Sequence, residues 1–276
     1  MKIALITGAA NGIGLALSRL YLQQGVITLM VDKNAPKLEM EGLSLKADFG
    51  DLVKLRTCDL TDLSQVQELA TWVKDQLGHV DYLYNNAGII GSMASVWELS
   101  PAQLKQVMDV NLYGTWHMIH AFMPLLLAQK RDSRIVNIAS LYALCNSSQT
   151  AAYSISKHAV LALTESLYFD LERLQTPINV SVVFPSFTDT SLLSNQESNT
   201  AFQNSLHQLL SHSRPALEVA EHIVQAVENK QFYIFPDLEV KSYCDERTQA
   251  ILQQGKPHVH AVEKIMGALL KRANRA

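Results

Sequence analysis

Residues 3–25 read IALITGAANGIGLALSRLYLQQG. The apolar run Ile3-Ala4-Leu5-Ile6 has the character of a buried parallel strand. Thr7-Gly8-Ala9-Ala10-Asn11-Gly12-Ile13-Gly14 follows, and a helical pattern then runs to Gly25. Strand, glycine-rich turn and helix, in that order, form the context of a dinucleotide site. Glycines let the backbone approach a pyrophosphate, and the helix start offers free N–H groups to the anion. A second apolar run, Val26-Ile27-Thr28-Leu29-Met30-Val31, ends at Asp32. An acid at that point can accept hydrogen bonds from both hydroxyls of an adenosine ribose and repels a 2′-phosphate, which favours NAD over NADP. Lys33 beside it partly offsets the repulsion and leaves some room for NADP.

The alternation continues outward from this start. Apolar and helical patterns predict strands at 2–7, 26–31, 53–57, 80–85, 134–139, 178–184 and 231–235. They predict helices at 12–24, 63–77, 101–129, from the Tyr153 region to about 174, and at 217–229. The stretch from Asp32 to about 52 reads as irregular, and a polar segment from Ser186 to Arg214 interrupts the pattern. Short apolar strands separated by helix-sized crossovers predict an α/β fold: one doubly wound parallel sheet with helices on both faces. The whole chain, 1–276, is expected to form a single domain with a helical extension over about 236–276.

Composition narrows the function. The chain has 276 residues, 48% of them hydrophobic, enough for a sizeable core, and a formal net charge of −3. That charge and the lack of a basic run before the tail point away from nucleic acid. No apolar run approaches membrane-spanning length; the densest, Ala121–Ala128, contains Pro124. Cys58, Cys145 and Cys244 form neither a metal nor a disulfide pattern. With Met1-Lys2 leading directly into the first strand, a cytoplasmic protein is expected. The pairs His117/His120 and His258/His260 lack neighbouring Cys or carboxylate groups at ligand spacing, so no metal is expected.

The chemistry concentrates at Tyr153 and Lys157 in the helical stretch YSISKHAVLALTESL. Residues four apart share a helix face, so a phenol and an ammonium can meet over one substrate. A cation beside the phenol favours phenolate and makes it usable for proton transfer near neutral pH. Ser140 ends the strand RIVNIAS, at the carboxyl edge where open α/β sheets bind ligands, and its hydroxyl can hold an oxygen that gains or loses charge. Asn111 lies mid-helix in DVNLYGTW, where its side-chain amide could bind a water.

These markers, TGAANGIG at 7–14, Asp32, Asp59, Asn85-Asn86-Ala87-Gly88, Asn111, Ser140, YSISK at 153–157, and Pro185 with Thr190, resemble the short-chain dehydrogenases/reductases in identity and order. The resemblance covers roughly residues 1–235. It implies a catalytic set of Asn111, Ser140, Tyr153 and Lys157, with Tyr153 as general acid/base. Lys157 would lower the tyrosine pKa and bind the nicotinamide ribose, and Asn111 would hold a water that relays the proton. The cofactor would be lined by Gly8, Asn11, Gly12, Ile13, Gly14, Asp32, Asp59, Leu60, Asn86, Ala87, Gly88, Tyr153, Lys157, Pro185, Thr188 and Thr190. Asp59 would take the adenine amino group and Thr190 the carboxamide. Pro185-Ser186 departs from the usual Pro-Gly, and serine lacks the φ freedom of glycine. The resemblance implies an oxidoreductase that exchanges hydride between a nicotinamide cofactor and a secondary alcohol or ketone.

Substrate choice would rest on loop 89–98, loop 141–152 and segment 186–214, which resembles a substrate lid. Ile89, Ile90, Met93, Trp97, Leu141, Tyr142 and Leu144 suggest an apolar pocket. Phe202, Leu206, Leu209 and Leu210 could cover a nonpolar substrate or serve as a satellite core. The family often forms tetramers through the helices carrying Asn111 and Tyr153, so a homo-oligomer, dimer or tetramer, is expected; Leu161, Leu163 and Leu167 would serve such a contact or a monomer core. A non-catalytic dinucleotide sensor, a scaffold docking through the tail, and a sugar-nucleotide epimerase or dehydratase remain alternatives.

Overall fold

The computed structural model describes residues 1–188 and 214–273. Its strands are β1 (Ile3–Thr7), β2 (Ile27–Asp32), β3 (Val53–Thr57), β4 (Tyr82–Asn85), β5 (Ser133–Ile138), β6 (Ile178–Val183) and β7 (Tyr233–Ile234). Among the described residues the helices are α1 (Gly12–Gln23), α2 (Ala35–Phe49), α3 (Leu63–Gln76), α4 (Pro101–Met108), α5 (Gly114–Gln129), α6 (Ala151–Arg173), α7 (Ala216–Glu228), α8 (Glu239–Leu252) and α9 (Ala261–Ala273). The strands form one sheet in the order β3-β2-β1-β4-β5-β6-β7. Every pairing is parallel, with Leu5 opposite both Leu29 and Leu83. All strand C-termini therefore open on one edge, and the chain reverses direction across the sheet beside β1.

Each strand supplies alternate side chains to two apolar layers. Ala4 and Ile6 join Leu17, Tyr21, Leu38, Ile223 and Val227 on the face covered by α1, α2 and α7. Leu5 joins Leu29, Val73, Leu83, Phe122 and Ile135 on the face covered by α3 and α5. A third cluster lies at the carboxyl edge, where Ala139–Cys145 pack with Val160, Phe184, Val240, Val262 and Met266. The extension after β7 is thus packed against the loop that follows β5. Among the described residues no helix is long and apolar enough to cross a membrane.

Two local expectations change. The stretch between β2 and β3 is a 15-residue helix, α2, rather than irregular. Its apolar face is thin, and only Leu38, Gly42 and Leu45 are buried. Gly42 sits in that stripe because a Cβ there would lie 2.5 Å from Leu55 Cδ1. A helical stripe with glycine at its centre carries little periodic signal. The start is nevertheless marked: the Asn34 side chain accepts from Lys37 N at 3.1 Å, and Pro36 sits in the first turn. Second, the helix expected over 101–129 is broken by one wide turn, Asp109–Tyr113, with π-helical hydrogen bonding. Ser100 and Gln103 form a reciprocal capping box at its start.

Asn34→Ala removes the side-chain cap of α2. It is expected to lower stability by about 1 kcal/mol, read as a lower urea midpoint with an unchanged slope.

Candidate active site

The site begins at the interlock between the loops after β1 and β4. Thr7 Oγ1 accepts from Asn86 N at 2.9 Å and Ala87 N at 3.1 Å, and donates to Tyr84 O at 3.1 Å. The Asn86 amide returns hydrogen bonds to Thr7 O and Gly8 O. This packing demands glycine. A Cβ on Gly14 would meet Gly8 O at 2.3 Å, and one on Gly8, whose φ is +63°, would meet Ala87 Cα at 2.9 Å. The first N–H groups of α1 emerge at the mouth of this loop without partners inside the helix.

Asp32, at the end of β2, is half-buried and ties the two neighbouring turns. Its Oδ2 accepts from Ala10 N at 3.1 Å and its Oδ1 from Asn34 N at 3.0 Å. Each carboxylate oxygen keeps a lone pair for a further donor. Asp59 accepts from Thr61 N and Thr61 Oγ1 through Oδ1.

A cleft of about 360 Å³ runs along the carboxyl edge of the sheet from these residues to β5 and β6. Gly8, Asn11, Gly12, Ile13, Asp32, Asp59, Leu60, Asn86, Ala87, Gly88, Ser140, Tyr153, Lys157, Pro185 and Thr188 all line it. Gly14 stands behind the loop, and Thr190 lies outside the described residues, as do Phe202, Leu206, Leu209 and Leu210. Lys37, Cys58, Thr61, Val110 and Phe187 also line the cleft. Lys37 escaped the sequence reading because α2 itself did; the Asn34-Pro36 start signal, extended by one turn, would have placed it beside Asp32.

At the β5 end, Tyr153 and Lys157 project from successive turns of α6, with Lys157 Nζ 5.6 Å from the Tyr153 ring centroid. Lys157 is buried and donates to Ile138 O at 2.8 Å. Burial disfavours its ammonium and brings its pKa down to about 8. Burial also pushes the Tyr153 hydroxyl up to about 12, against an opposing hydrogen bond from Ser140. Desolvation is the larger of these two influences on Tyr153.

Asn111 is buried in the wide turn. Its Oδ1 accepts from Ile89 N at 2.8 Å, while Nδ2 donates to Ile89 O and Ser156 Oγ, both at 2.9 Å. Both donor hydrogens are used, so the side chain braces the wide turn, loop 89–91 and α6, and Oδ1 keeps one lone pair for a further donor. Gly88 fits beneath it, because a Cβ there would lie 3.2 Å from Asn111 Oδ1 and 3.4 Å from Lys157 Nζ. The histidines have ordinary partners: His117 Nδ1 pairs with Leu60 O, His120 stacks on Trp116, and His260 Nε2 pairs with Asn146 O.

Beside Ser140 and Tyr153 the walls are apolar and aromatic. The Tyr142 ring meets Tyr153 edge-on at 5.8 Å between centroids and Phe187 at 6.4 Å. Ile89, Ile90 and Leu141 complete this side.

The sequence pattern of the short chain dehydrogenases matches residues 2–201. The 1-deoxy-11-beta-hydroxypentalenate dehydrogenase of Streptomyces exfoliatus is 34% identical over 241 residues, covering 87% of this chain and 84% of the relative. Galactitol 2-dehydrogenase of Agrobacterium fabrum is 30% identical over 188 residues, covering 68% and 71% respectively. A solved structure, a short chain dehydrogenase/reductase from Burkholderia phymatum in complex with NAD, superposes with a TM-score of 0.88 at 29% identity, covering 93% of this chain and 96% of that one.

The lowered pKa of Lys157 has a sign that stability can report. Below pH about 8 the lysine is charged whether the chain is folded or not. Between there and its ordinary pKa, near ~10.4, only the unfolded chain holds the extra proton. Wild-type protein should therefore gain roughly 2 kcal/mol relative to Lys157→Met between pH 7 and about 9.5. Urea unfolding of both proteins at the two pH values measures this. The difference cancels the opposing titration of the buried tyrosines and cysteines.

Proposed function

The chain belongs to the short chain dehydrogenase family, and from that premise we propose that it exchanges hydride between a nicotinamide cofactor, NAD in preference to NADP, and a secondary alcohol or ketone. One observation carries the reading. Ser140, Tyr153 and Lys157 converge at one end of the cleft whose other end is the glycine loop and Asp32. The residues present fit such a cofactor. Gly8, Gly12 and Gly88 line the cleft without side chains, and Asp32 retains acceptor capacity toward a ribose diol. Gly8, Asn11, Gly12 and Ile13 would hold the pyrophosphate, Asp59 and Leu60 the adenine, Asn86, Ala87 and Gly88 the adenosine side, and Pro185, Thr188 and Thr190 the nicotinamide side. When bound, the nicotinamide supplies the hydride acceptor or donor.

The chain's own groups position the substrate and move the proton. The Ser140 hydroxyl orients the substrate oxygen. In oxidation the Tyr153 phenolate takes the hydroxyl proton as the adjacent C–H bond gives up hydride; in reduction the phenol returns the proton. A phenol held at about 12 stays protonated near neutral pH, so phenolate is scarce. It is still more acidic than an alcohol and can donate to a developing alkoxide. Oxidation therefore depends on the nearby Lys157 cation to favour phenolate, while reduction draws on the protonated phenol directly. Asn111 acts at one remove by bracing loop 89–91 and α6.

The apolar and aromatic wall of Ile89, Ile90, Leu141, Tyr142 and Phe187 supports a substrate of low to moderate polarity. The two named relatives act on unlike alcohols, hydroxypentalenate and galactitol, so the wall and not the family sets this choice. Homo-oligomerisation is supported by Tyr113 and Trp116, which are 49% and 41% exposed, together with Leu112 and Leu163 around the same shallow hollow. The polypeptide is read as one catalytic domain.

Tyr153→Phe should lower kcat by at least about 10³-fold and leave NADH binding, followed by nicotinamide fluorescence, within about twofold. Retained turnover would sink the assignment of Tyr153. Asp32→Ala should weaken NADH binding by about tenfold and shift the NADH/NADPH preference toward NADPH, where Lys33 and Lys37 line the same end of the cleft. Unchanged selectivity in paired fluorescence titrations would remove Asp32 from the ribose site.

A further inference from the structure

The loop between Ser140 and Tyr153 is held in part by its own turns: Tyr142 N donates to Ser140 Oγ at 3.2 Å and Thr150 Oγ1 donates to Ser147 O at 2.8 Å. Gln149 has φ +62°, a left-handed conformation that favours glycine, and Thr150 gives α6 no side-chain cap. A further restraint comes from more than a hundred residues away in sequence. Glu263, half-buried in the first turn of α9, accepts from Ser148 N and Ser148 Oγ, each at 2.6 Å. One turn earlier, the buried His260 pairs its Nε2 with Asn146 O at 2.8 Å. Val262 and Met266, buried on the same helix, pack in the cluster with Leu141, Tyr142, Leu144 and Cys145.

From this anchor a short polar chain runs into the cleft. Ser147, adjacent to Ser148, shares a hydrogen bond with the Tyr142 hydroxyl at 3.0 Å. The Tyr142 ring stands edge-on to Tyr153 and Phe187. Glu263, Ser148, Ser147, Tyr142 and the substrate face of Tyr153 are therefore linked in order.

We propose that Glu263 is a positioning residue that sets the substrate wall: its carboxylate clamps Ser148 and so fixes Tyr142 against the alcohol or ketone. The wall role rests on the hydride-transfer reading above; the clamp itself does not. Because Glu263 touches neither the cofactor loop nor the reacting groups, its loss loosens substrate fit and leaves hydride transfer from a correctly seated substrate intact. A glutamine at 263 preserves the geometry, since its carbonyl can accept from Ser148 N and its amide can donate to Ser148 Oγ.

The test compares wild type, Glu263→Ala, Glu263→Gln and Ser148→Ala; the last leaves α9 untouched if the first folds poorly. Hydrogen exchange of the 141–149 amides is measured on each. Steady-state kinetics with NAD use whichever of cyclohexanol, 1-phenylethanol or 2-butanol the wild type oxidises. The expected result is about tenfold faster exchange over 146–149 in Glu263→Ala, a smaller rise in Ser148→Ala, and near-restoration in Glu263→Gln. KM for the alcohol should rise about fivefold or more in Glu263→Ala, with kcat and the NADH dissociation constant within about twofold of wild type. Unchanged exchange in Glu263→Ala overturns the clamp. Faster exchange with an unchanged KM, or KM, kcat and cofactor binding failing together, overturns the positioning role. A wild type that oxidises none of the alcohols counts against hydride transfer instead, and the exchange comparison then decides the clamp alone.

Discussion

The site depends on the hydroxyl of Thr7. β1 is flanked by β2 on one side and β4 on the other, so the chains leaving β1 and β4 diverge and a crevice opens between them. A diverging pair of loops would leave backbone N–H groups without partners in a buried place, which is costly. Thr7 Oγ1 accepts from two of them, Asn86 N and Ala87 N, and donates its own hydrogen bond to Tyr84 O. Once that knot is tied, the glycine loop is held against the Asn86–Gly88 backbone so closely that Gly8 and Gly14 have no room for a side chain. The crevice is then a fixed cradle, and the conformation of its floor precedes any ligand.

The other end of the cleft is stabilised differently. Lys157 is a buried cation whose hydrogen-bond acceptor is a backbone carbonyl, Ile138 O. Such a group is expensive, and its lowered pKa is the measure of that expense. The cost is tolerated because the surroundings are rigid. Asn111 ties the wide turn to loop 89–91 and to Ser156 on α6. Asn85 donates to Asn137, which in turn donates to Thr164 on the same helix. Both networks reach α6 on either side of Lys157, so the lysine has little freedom to escape toward solvent. Strain held at a reaction centre by a surplus of constraints elsewhere is the usual signature of a preorganised site.

Much of this was legible in the sequence, for identifiable reasons. The β1–α1 unit carries its information locally: an apolar run, a glycine turn and a helix pattern cannot be read another way. Asp32 and Ser140 were placed by the ends of their strands, and Tyr153 and Lys157 by their spacing on one helix face. What escaped was set by distant neighbours. α2 was missed because Gly42, the centre of its buried stripe, is chosen for contact with Leu55 on another element. Lys37 went with it. The wide turn at Asp109–Tyr113 leaves no compositional mark, although it decides where Asn111 points. Spacing also places a cation near Tyr153 but says nothing about burial, which pushes the Tyr153 hydroxyl up.

The two halves of the chain divide the work. The family pattern ends at residue 201, and the described elements beyond it, α7 to α9, add no residue to the lining of the cleft. Yet two carboxylates from this region, Asp237 and Glu263, each accept a backbone N–H from a loop on the substrate side, Ser186 and Ser148 respectively. Asp237 also binds Arg214, which bridges to Thr188 across the base of segment 189–213. Asp237 thereby supplies a polar tie at the position where Ser186 replaces the more permissive glycine. Apolar packing alone would let these loops slide, because dispersion contacts are not directional; a carboxylate on a backbone N–H fixes both position and orientation. Anchors of this kind hold the loops at one end of the cleft from the C-terminal helices, while the other end is braced from within the sheet.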